Sequence, residues 1–272
     1  MFTMKTKYLL HTSFIGLLAT AAIPAHAAPI EPMHGAMEVP VARQLACFNA
    51  QDYHWPEDGS GIKSPGCKAA YQHVYRKFDN NAQQATYQFI QWHEVSKNIP
   101  EYDKIEEVKK AIPDGQLCSA GNVVAADSLS KVRNALLEIL RKLKLDSNWL
   151  YLLVNDKSGL DQPAEWATQE LRKGADNKVH MSYKIEAVHN PSYWEIYVSK
   201  PGYNPAERAL KWDDLELVQE IGDVPPVNGY YELEVDLKNH IGKRVIYSRW
   251  QRKDPAGEGF YNCSDVNIVG GK

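Results

Sequence analysis

From residue 179 onward the chain alternates apolar and polar positions with the period of a pleated strand. In 179–187, Val179, Met181, Tyr183, Ile185 and Ala187 share one side, and His180, Ser182, Lys184 and Glu186 share the other. In 193–199 the apolar side is Trp194, Ile196 and Val198; in 230–237 it is Tyr231, Leu233, Val235 and Leu237. Residues 243–252 and 260–268 read as further strands. Turn signals part them: His189-Asn190-Pro191, Pro201-Gly202, Pro225-Pro226 and Asp254-Pro255-Ala256-Gly257. Short strands punctuated in this way predict a β-sandwich.

The first half has a different rhythm. Loops alternate with short helical patterns at 68–78 and 102–111, and the strongest helix signal covers 129–145. There Leu129, Val132, Leu136, Leu140 and Leu143 fall at helical spacing, with Asp127 or Ser128 placed to cap the start. Its other face carries Lys131, Arg133, Arg141, Lys142 and Lys144. A helix packed on the sandwich with a solvated basic face explains this better than a membrane-surface or partner-binding helix. The expected fold is therefore mainly β, a sandwich with helical and loop insertions in its N-terminal half.

The N-terminus reads as an export signal over residues 1–27. Lys5 and Lys7 precede an apolar run from 8 to 22, and Ala25-His26-Ala27 is a cleavage site of the A-x-A kind. The run is too short and too interrupted to span a membrane. Four cysteines, Cys47, Cys67, Cys118 and Cys263, suit two disulfides in an exported chain, with three pairings open. None lies in a C-x-x-C pair, which ranks zinc well below. A net charge of −3 argues against a nucleic-acid partner. Seven Trp and fifteen Tyr supply faces on which sugar rings stack, although the same residues also build sandwich cores.

Three separated pieces carry the chemistry. His34 opens HGAMEVPVARQLACF, His189 lies at a strand end in EAVHNPSYWEIYVS, and Phe260 lies in VIYSRWQRKDPAGEGFYNCSDV. Taken singly, a histidine is more often structural or exposed than a ligand, and His54, His73, His93, His180 and His240 are read so. Together the pieces resemble the copper-dependent lytic polysaccharide monooxygenases of auxiliary activity family 10, formerly grouped as carbohydrate-binding module family 33 or chitin-binding type-4 domains. The opening is similar to that family's His-Gly followed by Pro, Arg and Cys. IPDGQLCSAG at 112–121 is similar to its central loop, and YWEIYVSKPGYN at 193–204 and LKWDDL at 210–215 to its mid-domain strands. The matching blocks run through 34–268 and leave about 124–156, with the amphipathic helix, as an insertion.

The resemblance implies an immunoglobulin-like or fibronectin-III-like sandwich with a flat copper surface. One copper ion would be held by the α-amine and a ring nitrogen of His34 and a ring nitrogen of His189. Such a planar nitrogen set with open positions suits Cu(II), and an α-amine titrates near neutrality, so copper displaces its proton readily. Phe260 would shield one face of the metal and Ala187 would shape the other. Glu258 would orient a bound oxygen species, and Trp250 would pack behind the ligands. Gly259 stands where the family mostly has Ala, a change expected to loosen the loop holding Phe260. The implied disulfides are Cys47–Cys67 and Cys118–Cys263.

The implied reaction is oxidative cleavage of glycosidic bonds in an insoluble polysaccharide, chitin before cellulose. It needs an external electron donor and dioxygen or hydrogen peroxide. No carboxylate pair for ordinary hydrolysis is called for. Tyr87 and Trp92 are candidates for the polymer-facing surface. The expected protein is monomeric and extracellular, with no membrane span. Its activity is conditional on a free His34 amine, because a cut after Ala27 leaves 28–33 ahead of it as a segment for further trimming. If His34 stays internal, the expected role is a non-catalytic chitin-binding protein or adhesin on the same fold.

Overall fold

The apolar sides predicted for the second half face one another across two β-sheets. The structure, a computed structural model, describes residues 34–125, 135–136, 138–139, 142–143 and 154–270. These lie in the unit spanning Pro32–Lys272. The expected export signal, residues 28–33 and most of the 129–145 helix lie outside the described residues.

The smaller sheet has the order β1-β4-β7, from Gly35–Val39, Lys178–Ile185 and Tyr230–Asp236. The larger has the order β2-β9-β8-β5-β6, from Ser96–Asn98, Glu258–Val269, Gly242–Arg252, Ser192–Ser199 and Leu215–Ile221. These pairings are antiparallel, while β3 (Gln169–Arg172) adds parallel to β9. Between the sheets Met37, Met181, Tyr183, Leu233 and Val235 meet Trp194, Ile196, Ile246, Trp250 and Phe260. Each is essentially excluded from solvent. At about 25 cal/mol per Å2 of apolar surface, this double layer is the main favourable term in folding.

The larger sheet is buried on its outer face as well, which alternation of one face alone does not show. Tyr197, Tyr247 and Tyr261 point away from the sandwich into a second core. The N-terminal half supplies that core, with α1 at Arg43–Ala50, α2 at Pro65–Lys77, α3 at Ala82–Ile90 and α4 at Ile105–Ala111. The helix read at 68–78 starts earlier, at Pro65, because Ser64 caps it: the Ser64 side chain accepts from the Cys67 amide, and Pro65 lacks the N–H that would otherwise be orphaned there. The helix read from Tyr102 begins later, at Ile105.

Two disulfides, Cys47–Cys67 and Cys118–Cys263, tie this layer together. The first joins α1 to α2, and the second joins the 112–121 loop to β9, the strand that carries Phe260. Beside them Arg43 is buried. It grips Asp265 of β9 with Nε–Oδ2 2.7 Å and Nη2–Oδ1 3.0 Å, donates to the Leu160 carbonyl at 2.8 Å, and stacks 4.3 Å over Trp166.

Candidate metal centre

His34 precedes β1 and is held through its backbone. Its carbonyl accepts from the amides of Glu186 at 2.8 Å and Ala187 at 3.2 Å, and the next amide, Gly35, donates to the His93 carbonyl at 3.2 Å. Three chain segments thus converge on one residue: the chain before β1, the turn after α3 and the turn after β4. His189, at the end of that last turn, is only 6% exposed, and its amide donates to the Tyr231 hydroxyl at 3.1 Å. Tyr231 in turn donates to Asn190 Oδ1 at 3.0 Å.

Phe260 is the common neighbour of both rings. Its centroid lies 6.0 Å from His34, edge to face, and 6.0 Å from His189, nearly parallel. Trp250 backs them, 5.0 Å from Phe260, 5.4 Å from His189 and stacked 5.6 Å from Trp194. Phe260 and Trp250 are both fully buried, so one side of the cluster is dry aromatic packing. Ala187 lies in the same turn as His189, and its amide is one of the two that donate to the His34 carbonyl.

The electrostatics favour neutral, ligand-ready rings. Burial lowers the pKa of His34, against the opposing pull of the Glu94 and Glu258 carboxylates. Burial drives His93 down to about 4, helped by His34 and Lys157. His34 Nδ1 is buried without a hydrogen-bond partner among the described residues. Its Nε2 faces Glu94 Oε1 at 3.5 Å. Glu258 is mostly buried and held by Arg252 at 2.8 Å, which also pairs with Asp254 at 2.7 Å.

The two polymer-facing candidates fare differently. Trp92 is 5% exposed, packed against Phe48 and His93 with Lys184 Nζ 5.2 Å over its ring. So deeply buried, it has no open face to offer a sugar. Tyr87 is half-buried. Gly259 also departs from expectation. A Cβ there would stand 2.6 Å from Gln251 Oε1 and 2.7 Å from the Tyr261 hydroxyl, so the missing methyl group reflects a tight fit within β9 and not a loosened loop.

Two residues belong to this cluster that sequence reasoning did not place there: His93, read as structural or exposed, and Glu94, not considered. The ring of His93 lies 5.0 Å from that of His34, and Glu94 follows it. The adjacent His-Glu in QWHEV is the only trace of this in the sequence.

Residues 34–266 match the family described as lytic polysaccharide mono-oxygenase, cellulose-degrading. The chain belongs to this family. Among curated relatives, spindolin of Heliothis armigera entomopoxvirus is 31% identical over 86% of this chain and 66% of its own length. Chitin-binding protein CbpD of Pseudomonas aeruginosa is 30% identical over 87% of this chain and 48% of its own. The chain therefore spans about two thirds of the spindolin and half of CbpD. In structure, an entomopoxvirus fusolin that crystallises in vivo into viral spindles superposes with a TM-score of 0.70 at 30% identity, covering 87% of this chain and 76% of that one. A fusolin determined with zinc gives 0.69 at 29%, covering 87% and 77%. The mono-oxygenase of Kitasatospora papulosa, at 24% identity, shares the fold with a TM-score of 0.60, over 87% and 98% of the two chains.

Proposed function

We propose that this chain is an exported, copper-dependent polysaccharide monooxygenase whose substrate is chitin, cellulose being the second choice, and that it becomes active when His34 is the N-terminal residue. The observation that carries the reading is the orphaned His34 Nδ1 beside Phe260, on whose ring His189 also packs. The α-amine and Nδ1 of one histidine close a chelate ring, which Nε2 is too distant to do. The free atom is thus the one that such a ligand set requires, and the zinc-bound fusolin supports a metal at this fold.

His34 and His189 would hold the copper with one amine and two neutral ring nitrogens. When bound, the metal would supply one-electron chemistry with an external donor and dioxygen or hydrogen peroxide, ending in hydroxylation of a carbon at the glycosidic bond. Around it the residues divide the work. Phe260 and Trp250 exclude water from the buried side. Ala187 keeps its side of the centre open for want of bulk. Glu258, fixed by Arg252, presents a carboxylate that would orient a bound oxygen species by hydrogen bonding. Trp55, 75% exposed, has the open aromatic face that Trp92 lacks, and is the candidate for stacking on polymer. Chitin is preferred because CbpD, by its name, binds it.

The second reading, a chitin-binding protein without catalysis, is favoured by the Ala25-His26-Ala27 site, which leaves 28–33 ahead of His34. Terminal sequencing and intact mass of the exported protein come first. A chain beginning at His34 should bind one Cu(II) and release oxidised chitin oligosaccharides when supplied with a reductant. Tight copper binding without any oxidised product from chitin or cellulose would overturn the enzymatic reading in favour of binding alone.

A further inference from the structure

A further set of ligand-type side chains converges on His34. One nitrogen of His34, one nitrogen of His93 and one carboxylate oxygen of Glu94 all lie within 4.8 Å of one another. We propose that His34, His93 and Glu94 form a zinc-type divalent-metal site that functions while His34 is still joined to Met33 by a peptide bond.

The donor set fits. Two neutral imidazole nitrogens and a carboxylate, with a fourth position left for water, are a combination that Zn(II) accepts in tetrahedral geometry. Ligand atoms of such a site stand roughly 3.3 Å apart for metal–ligand bonds of about 2.0 Å. The present spacing of at most 4.8 Å is within about 1.5 Å of that. The backbone is already in place. The Gly35 amide donates to the His93 carbonyl at 3.2 Å, which sets the two histidines side by side. The Glu94 amide donates to the Gln91 carbonyl at 3.1 Å, and the buried Lys157 Nζ donates to the same carbonyl at 2.6 Å, fixing the turn that carries both new ligands.

The ring chemistry fits as well. His93 Nδ1 is buried with no hydrogen-bond partner among the described residues, as is His34 Nδ1. His34 Nε2 is the nitrogen that faces Glu94. This site therefore calls on the other nitrogen of the ring from the one a terminal chelate would use. It needs neither the α-amine nor His189, and does not rest on the oxidative reading.

The test uses the chain that begins at Ala28, titrated calorimetrically with Zn(II) at neutral pH and followed at its tightest equivalent. His93→Ala and the isosteric Glu94→Gln should each weaken that equivalent at least about tenfold, since loss of a mere supporting group around a metal already costs that much. His189→Ala should leave it unchanged. Zinc-edge X-ray absorption of the parent should show two imidazoles. The inference fails if Glu94→Gln and a folded His93→Ala both bind like the parent, if His189→Ala weakens zinc as much as they do, or if fewer than two imidazoles are seen. Failure of the copper reading would show instead in the chain that begins at His34, and leaves these outcomes untouched.

Discussion

Gly35 lies so close to Tyr183 that a Cβ on it would stand 2.3 Å from the tyrosine Cε1 and 2.4 Å from the Lys184 carbonyl oxygen. The residue after His34 must therefore be glycine for β1 to lie on β4, where Gly35 pairs with Ile185. Gly35→Ala should push this strand end away from the sheet and carry His34 with it. Overpacking of this kind costs roughly 1–3 kcal/mol. Urea melts should show that loss, and copper affinity of the chain beginning at His34 should fall in parallel.

Gly259 makes the same argument on the other side of the centre. It pairs with Gln251 in β8 and Lys97 in β2. Gln251 cannot move aside cheaply, because Arg249 donates to its Oε1 at 2.8 Å and 3.1 Å. Gly259→Ala should lower stability by about 1–3 kcal/mol. Thermal melts set beside those of a Gly270→Ala control, where a Cβ meets open space, would check this.

These two glycines mark how far the sequence could be read. The inward faces of 193–199 and 230–237 were legible because alternation is a local signal. The outward face was not. Tyr197, Tyr247 and Tyr261 are buried in a second core shared with the N-terminal half and with Trp212, and no local period records that. His34, His189, Phe260 and Glu258 were singled out through a family resemblance, and their neighbourhood then follows from strand register. His93 was passed over for a physical reason. A lone histidine after a short helix is indistinguishable from a surface one until β1 is laid beside it. Surface and core were not separable for Trp92 for the converse reason: aromatic supply says nothing of which faces are covered.

The buried fork between Arg43 and Asp265 anchors α1 to β9 near the Cys118–Cys263 disulfide. Both partners are almost fully buried, so removing one leaves an uncompensated charge in a dry core. Asp265→Ala should cost about 3–5 kcal/mol. Arg43→Lys should also be destabilising, because an ammonium cannot reproduce the two-pronged contact or the stacking on Trp166. A double-mutant cycle with Arg43→Met and Asp265→Leu would separate the coupling from the penalty of an unpaired charge; the double variant should be more stable than either single one.

Lys157 gives a pH prediction. It is fully buried, and its Nζ donates to the Gln88 and Gln91 carbonyls at 3.2 Å and 2.6 Å. Burial pulls its pKa down to about 7, against the opposing pull of Glu94 and Asp156. In the unfolded chain the ammonium keeps its proton to about 10.4. Between these two values the unfolded state holds more protons than the folded one, so unfolding free energy rises with pH, by at most about 1.4 kcal/mol per pH unit. Below about pH 7 both states are protonated and the dependence vanishes. Denaturant melts of the parent and of Lys157→Met should therefore diverge with pH, the parent gaining about 2 kcal/mol on the variant between pH 7.5 and 9. Parallel pH profiles for the two proteins would mean that Lys157 keeps its charge through its two carbonyl partners, despite burial.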